Sequence, residues 1–167
     1  MVQLQAEIDS REMQKRLLAL EDPLSSLHPD IRELSNVLYG LLRSSGNKIP
    51  VEPSLYGRYP RAFHILEAEG MIHPNHVLGR TFPAEVWVRN PSYILYMAAL
   101  FEDADRMDAL VALIDAASPK TWLRGTDLAN QLGVPMPTIR AVFQMYEQRG
   151  LGLLSKEIGT ANYCAIA

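Results

Sequence analysis

Polar and basic side chains recur on one side of a predicted helix in the last third of the sequence. The set comprises Thr138, Arg140, Ala141 and Gln144. Arg140 can fork to guanine or to a phosphate, and Gln144 can pair with adenine. The Thr138 hydroxyl can bind a phosphate oxygen. These side chains have the chemistry of duplex DNA recognition, and the same pattern is also typical of the solvated face of an ordinary amphipathic helix.

A second basic set lies in the first half of the sequence, at Arg58, Arg61, His64 and Arg80. The stretch Arg58-Tyr59-Pro60-Arg61 places two guanidinium groups at the start of a predicted helix, where the helix dipole also attracts phosphate. The alternative is a structural pair of arginines neutralised by Glu52 or Glu67. The residues alone favour neither interpretation.

The elements that position the first set are predicted from residue 126 onward. Thr126 is a suitable N-cap, and Gly133 follows the last apolar position of a short helix. Pro137 suits the first turn of a second helix, which ends at Gly150. Two short strands follow at 151–156 and 161–166, with Gly159 at the turn between them. The pattern predicts two helices joined by a tight turn and followed by a hairpin.

This arrangement resembles the winged helix-turn-helix superfamily over about residues 104–167. The residues that carry the resemblance are Leu128-Ala129…Leu132-Gly133-Val134 and Tyr146-Glu147…Gly150-Leu151. The resemblance implies that the third helix of the unit reads DNA and that Lys156, near the wing tip, contacts the DNA backbone or the minor groove. The same scaffold also hosts protein-docking modules, so it specifies the fold better than the function.

The first half of the chain repeats this order of elements. A helix from Pro29 precedes a short strand at 49–51, and a helix from Pro60 to Gly70 precedes a hairpin predicted from 77–78 and 84–89. When the two halves are aligned at one constant offset, five positions match in residue class: Phe63 with Phe143, Ile65 with Met145, Glu67 with Glu147, Gly70 with Gly150, and Met71 with Leu151. The first copy lacks a clear Leu-Ala…Leu-Gly turn. An internal duplication is therefore predicted, with a degenerate first copy.

We predict a mainly α fold with small β-hairpins, built as tandem winged-helix domains after an N-terminal helix. The expected divisions are an arm at 1–27, a first unit at 28–92, a connecting helix at 93–103 and a second unit at 104–167. Within the arm, residues 9–21 are predicted to be helical. Its apolar stripe comprises Met13, Leu17, Leu20 and Leu24, and is equally compatible with packing on a partner chain or on its own domain.

The connecting helix from Tyr93 to Phe101 is apolar on nearly every side. Such a helix is either buried on several sides or exposes a docking surface. We favour burial between the two units. The candidate docking residues under the second interpretation are Tyr93, Tyr96, Met97 and Phe101.

Composition narrows the class of protein. The net charge of −3 is not typical of a strong nucleic-acid binder, although residues 118–167 carry five basic and three acidic groups. No apolar run is long enough for a membrane helix, and the start is unlike a signal peptide. A single cysteine is consistent with a cytoplasmic location. His73 and His76 are expected to be loop residues rather than metal ligands, and no pattern of a cofactor site or of an enzyme is recognised.

The leading functional hypothesis is a DNA-binding protein, namely a transcriptional or plasmid/phage-type regulator that contacts double-stranded DNA. It could form a homodimer through the N-terminal helix or bind a protein partner. The alternative is a protein-interaction or scaffold module without direct DNA contact, similar to the paired winged helices of bacterial condensin accessory subunits. Replication initiators with two winged domains are a third option, although these are usually longer and more basic.

Overall fold

The computed structural model describes residues 22–155, 157 and 161–166, together with the arm positions 6, 9–10, 12–13 and 17, which are helical. The remainder of the predicted arm helix and Lys156 lie outside the described residues. Seven helices and six strands lie within 22–166 of the described chain: α1 (Asp30–Ser45), β1 (Lys48–Pro50), α2 (Pro53–Arg58), α3 (Pro60–Ala68), β2 (His73–Asn75), β3 (Glu85–Trp87), α4 (Pro91–Phe101), α5 (Ala104–Asp115), β4 (Trp122–Arg124), α6 (Gly125–Leu132), α7 (Met136–Gln148), β5 (Gly152–Leu154) and β6 (Asn162–Ala165).

The order helix, strand, helix, helix, strand, strand occurs twice, first from α1 to β3 and again from α5 to β6. Each repeat forms a three-stranded antiparallel sheet, with strand order β1-β3-β2 in the first and β4-β6-β5 in the second. In both repeats, the last strand in the sequence, β3 or β6, therefore lies in the middle of the sheet. The prediction of a mainly helical chain with small β elements agrees with this architecture.

The predicted alignment of the two halves also holds at the ends of α3 and α7. Gly70 and Gly150 have positive φ angles of 71° and 73°. Their amides donate to the carbonyls of Glu67 and Glu147, at 3.0 and 2.9 Å. Because glycine adopts this left-handed conformation at the lowest cost, both helices end in the same way.

Each repeat has its own apolar core, and α4 lies between the two. Helix α4 packs against α1 on one side and against α7 on the other. Ala141 of α7 belongs to the first core, among side chains of the first repeat. The expectation that the apolar segment 93–101 is buried between the two halves is thus confirmed. No helix within the described residues is long and apolar enough to cross a membrane.

A cluster of polar side chains joins the two halves beside α4. The Glu102 side chain, only 3% exposed, accepts a hydrogen bond from Arg43 Nη2 at 2.6 Å. The same carboxylate accepts one from the Tyr39 hydroxyl at 2.6 Å and lies 3.7 Å from Arg106 Nη1. Arg43 also donates to the Gly133 carbonyl at 2.6 Å. This cluster, which we call the junction cluster, connects α1 to the turn between α6 and α7.

The start of α1 and the end of the arm are held together at Asp22. Asp22 is buried and accepts hydrogen bonds from Ser25 and from the Tyr96 hydroxyl, and Arg32 lies 3.6 Å away. Burial alone would raise the pKa of Asp22, but the hydrogen bonds from Ser25 and Tyr96, with the charge of Arg32, lower it below the usual value. Leu24 packs against the first core. The C-terminal end of the arm is therefore attached to the first repeat.

Two local predictions need correction, and one strand was not predicted. The first strand of the hairpin is β2, which precedes the predicted position at 77–78, because His73 rather than Val77 pairs with Trp87. Thr126 does not cap α6, since β4 runs directly into the helix at Gly125, whose amide donates to Ala161 at 2.7 Å. Strand β4 itself was not predicted.

One edge strand of the second sheet, β5, has an outward amide that is bonded to a side chain. Strand β5 lies at the edge, with β6 on one side only. Its Leu154 amide donates to Glu147 Oε2 at 2.6 Å, so a carboxylate of α7 takes the place of one acceptor of a neighbouring strand. The exposed amide is satisfied without another chain.

Replacing Gly152 by alanine is expected to destabilise the protein by about 1–3 kcal/mol, the usual cost of overpacking. A Cβ atom at this position would overlap the ring of Tyr163. That ring cannot move aside, because it stacks on Phe143 at a centroid distance of 5.3 Å and meets Tyr146 edge-on at 5.7 Å. Chemical denaturation of the variant measures the change.

The control is Gly40→Ala, on the exposed side of α1, where an added Cβ has no neighbour within 4 Å. Because glycine lowers helix stability, this change is expected to stabilise the fold by about 0.5–1 kcal/mol. Effects of the same sign in both variants would contradict the packing described around Tyr163.

Candidate nucleic-acid interface

Three rings connect the loop after β2 to helix α3 in the first half of the chain. The Phe82 and Tyr56 centroids are 6.4 Å apart, and Tyr56 lies 6.3 Å from the His64 ring. The Tyr56 hydroxyl is 3.3 Å from His64 Nε2. Arg80 lies over the Phe82 ring at 5.8 Å. The contacts place Arg80 and His64 on the same side of the molecule, although they belong to different elements.

Two arginines lie close to this group in the sequence, and Arg61 shares a side of α3 with His64, three positions later. Arg58 ends α2 and Arg61 is the second residue of α3. Both are exposed, and Arg58 lies 5.9 Å from the ring of Tyr59. Neither forms an ion pair with Glu52, Glu67 or any other described carboxylate. The alternative of a neutralised arginine pair is therefore not realised in the described chain.

We name the side formed by Arg58, Arg61, His64 and Arg80 the basic face. All four residues are exposed, and the helix, the α2–α3 turn and the loop each contribute to it. An exposed helix next to a loop, with cationic side chains in solvent, is an arrangement that can contact phosphates.

The corresponding side of α7 is not exposed. Thr138 and Ala141 are both 0% exposed. Thr138 Oγ1 lies 3.2 Å from the Tyr39 hydroxyl of α1. The apolar stripe of α7 comprises Ile139, Val142, Phe143 and Tyr146. The expectation that Thr138 faces DNA is wrong, because α1 and α4 pack on the opposite side of α7.

Arg140 and Gln144 are half-buried and line a cleft between the halves rather than a protruding surface. The cleft has a volume of about 340 Å³ and is lined by Asn47, Trp87, Arg89, Ile94, Pro137, Arg140 and Gln144. The Arg89 guanidinium lies 3.8 Å from the centre of the Trp87 ring. These two side chains therefore line a cleft beside the first sheet, whereas a recognition helix protrudes from the surface.

The candidate docking residues on α4 are mostly inaccessible. Tyr93 and Met97 are 0% exposed, and the Tyr93 hydroxyl lies 2.7 Å from Ser35 Oγ. Tyr96 and Phe101 are half-buried, the first bound to Asp22 and the second beside Tyr39. The proposal that Tyr93 and Met97 receive a partner is therefore wrong, since their side chains are part of the first core.

The sequence did not predict an exposed apolar surface on the second sheet. Its members are Trp122, Leu151, Leu153 and Ile166, at 52%, 50%, 55% and 52% exposed. The strand register places Trp122 and Leu153 on opposite sides of Cys164. We name this group the apolar sheet face. Successive side chains in a strand point to opposite faces of the sheet, which places Leu154 and Tyr163 inward and Leu153 outward. This alternation was the sequence signal that could have predicted the exposed apolar surface.

The histidines expected to be loop residues are in part strand residues. His73 begins β2 and His76 follows its last residue, and both are exposed. Within the described positions, no three His, Cys, Asp or Glu side chains converge in a way that could hold a metal ion.

No protein-family model matches this chain, and comparison with curated proteins and with solved structures found no significant match.

Proposed function

We propose that the chain consists of two winged-helix units in tandem and binds duplex DNA through the first unit. The basic face would contact the DNA, with α3 in the major groove and the loop of residues 76–84 acting as the wing. In this proposal the protein is a cytoplasmic regulator of the transcriptional or plasmid/phage type.

The tandem arrangement is supported by the repeated order of elements and by the identical strand order of the two sheets. In a winged-helix unit, three helices precede or flank a small sheet whose last two strands form the wing. Helices α1, α2 and α3 correspond in this scheme to α5, α6 and α7. When the two halves are aligned as duplicates, α3 corresponds to α7, the helix for which the sequence predicts DNA contact.

The observation that carries the DNA proposal is the exposure of three arginines and one histidine on the basic face. The equivalent side of α7, at Thr138 and Ala141, is buried. Arg58, Arg61 and Arg80 form no ion pair with a described carboxylate. Unpaired guanidinium groups are the groups that release counterions when they bind phosphates. The two units would then have different roles, with the first in contact with DNA and the second supporting it.

The affinity for duplex DNA is expected to fall steeply with salt. If three arginines contact phosphates, the slope of log K against log salt is about −2.7, which corresponds to a loss of about 40-fold between about 50 and 200 mM salt. Fluorescence anisotropy with a labelled duplex of about two helical turns measures this dependence. The proposal fails if the protein shows no binding at low salt.

The second candidate function is a protein-interaction module, and the apolar sheet face favours it. Four large apolar side chains that are each half exposed on one surface are typical of a protein contact. Binding that persists as salt rises would distinguish such a contact from the electrostatic contact with DNA. The two candidates use opposite halves of the chain and can be tested separately.

A further inference from the structure

The cleft between the two halves has the size and position of a small-molecule site. Its volume of about 340 Å³ lies at the lower end of the range that such sites occupy. The first half contributes Trp87 and Arg89 to its lining, and α7 contributes Arg140 and Gln144. A molecule bound in the cleft would therefore contact both halves of the chain.

The charge of the cleft is positive. Arg89 and Arg140 are its charged residues, and no described carboxylate lines it. Glu85 lies on the same strand as Trp87, but it is paired with Lys48 Nζ at 3.2 Å and accepts a hydrogen bond from Asn75 Nδ2 at 3.1 Å. The cleft therefore attracts an anion and disfavours a cation.

Arg89 is held in place by a ring and not by a carboxylate. Its guanidinium lies over Trp87, 3.8 Å from the centre of the ring. Within the described chain, Arg89 has neither an ion pair nor a hydrogen bond to a protein group. A guanidinium that packs on an aromatic ring keeps its N–H donors, and their fork matches the oxygens of a carboxylate or a phosphate. This side chain is thus positioned to bind an anion and has no described protein partner that would compete.

Two side chains of α7 supply further donors. Arg140 and Gln144 are four positions apart in the helix, so they project on the same side. Gln144 is half-buried, and its side-chain amide has no hydrogen-bond partner among the described residues. Arg140 has another interaction, but a guanidinium carries five N–H donors and can bind an anion as well.

We propose that the cleft binds a small molecule through a carboxylate or phosphate group. Arg89 would bind the anionic oxygens in a fork, Gln144 would donate a hydrogen bond, and Arg140 would add positive charge. Because Arg140 and Gln144 are half-buried, the ligand must enter the cleft to reach them, which favours a small molecule over the backbone of a duplex. This binding does not depend on the proposed DNA contact, because no residue of the basic face lines the cleft.

Trp87 provides a local signal for the test. The chain has two tryptophans, and the other, Trp122, is 52% exposed on the second sheet. In the full chain carrying Trp122→Phe, the emission of Trp87 should change saturably as inorganic phosphate or succinate is added at constant ionic strength. The expected Kd is millimolar or tighter. Succinate carries carboxylates and no phosphate, so the two titrations identify which group the cleft prefers.

Arg89→Gln is expected to weaken the binding of the preferred anion by at least about tenfold, because it removes both the charge and the fork. Isothermal titration calorimetry measures this change, since the loss of Arg89 also alters the Trp87 signal. The control is Arg149→Gln, which removes an exposed guanidinium at the end of α7 and lowers the net charge equally. Its affinity should stay within a factor of about two of the unaltered chain. Thermal unfolding checks that both variants are folded.

Three results would overturn the proposal. The first is the absence of saturable binding with both probes, and the second is equal binding by the Arg89 and Arg149 variants. The third is an Arg89→Gln variant that binds duplex DNA more weakly and both probes unchanged, since the cleft would then hold a phosphate of the DNA. The probe titrations contain no DNA, so a failure of the proposed DNA contact leaves their outcome unaffected.

Discussion

Replacing both Arg58 and Arg61 by glutamine should weaken duplex binding by about 100-fold at low salt, and the slope of affinity against salt should decrease by about two. A hydrogen bond to a charged group contributes about 1.5–3 kcal/mol, and about 3 kcal/mol for the pair together corresponds to this factor. Both side chains are exposed, so the substitutions remove charge without disturbing the core. Anisotropy titrations at several salt concentrations measure both quantities.

The control is Arg149→Gln, which removes an exposed guanidinium at the end of α7, in the other half of the chain. Its affinity is expected to remain within a factor of about two of the wild type, since non-specific attraction by one distant charge is small. This comparison separates the basic face from the general effect of a lower positive charge.

A third variant, Arg140→Gln, tests where the interface lies. The half-buried position of Arg140 in the cleft predicts a small effect on duplex affinity. If Arg140→Gln abolishes binding and the double variant does not, the DNA contact is made at the junction of the two halves and the basic face is not the interface. If both variants bind as the wild type does, neither half makes the proposed contact.

Glu102→Ala is expected to lower the free energy of unfolding by about 3 kcal/mol. The carboxylate is buried and accepts two hydrogen bonds of 2.6 Å, one from Arg43 and one from Tyr39. Each bond to an ionised acceptor is worth about 1.5–3 kcal/mol, but Arg43 and Arg106 are nearly half exposed and water can replace part of their loss. For a chain of this size the change corresponds to a decrease in melting temperature of roughly 6–12 °C.

The matched control is Asp108→Ala, an exposed carboxylate on α5 in the same region of the chain. A change within about 0.5 kcal/mol is expected there. A double-mutant cycle between Glu102 and Arg43 should give a coupling of about 1 kcal/mol or more, because the two side chains are in direct contact. Equal stabilities of the Glu102 and Asp108 variants would mean that the junction cluster does not hold the two halves together.

Much of the fold could be predicted because its signals are local. Gly70 and Gly150 end α3 and α7 with positive φ angles, and a glycine after an apolar periodic segment is a reliable helix terminus. The match between the two halves follows from the same helix ends. The position of β4 could not be predicted, because the short segment Trp122-Leu123-Arg124 cannot show an alternating pattern.

The orientation of α7 was not predictable from periodicity alone. Periodicity identifies the apolar stripe of Ile139, Val142, Phe143 and Tyr146, but it cannot show whether another element covers the opposite side. The available signal was side-chain size. Thr138 and Ala141 are small, and small side chains allow a neighbouring helix to approach closely. Their burial against α1 and α4 is the result of that close packing.

The basic face could be predicted by residue type but not by its geometry. Arg58 and Arg61 are close in the sequence, so their proximity was expected. Arg80 joins them only because Phe82 and Tyr56 hold the loop against α3. Contacts between aromatic side chains that are distant in the sequence depend on the tertiary structure and leave no local signature.

The carboxylate of Glu147 at the Leu154 amide limits how copies of this chain can assemble. A bare β-strand at a sheet margin is a template onto which further chains can add indefinitely, as in amyloid fibrils. Here one of the outward amides that an incoming backbone would need, that of Leu154, is already occupied. A chain that adds at the β5 margin would have to displace this carboxylate, so strand addition there is disfavoured.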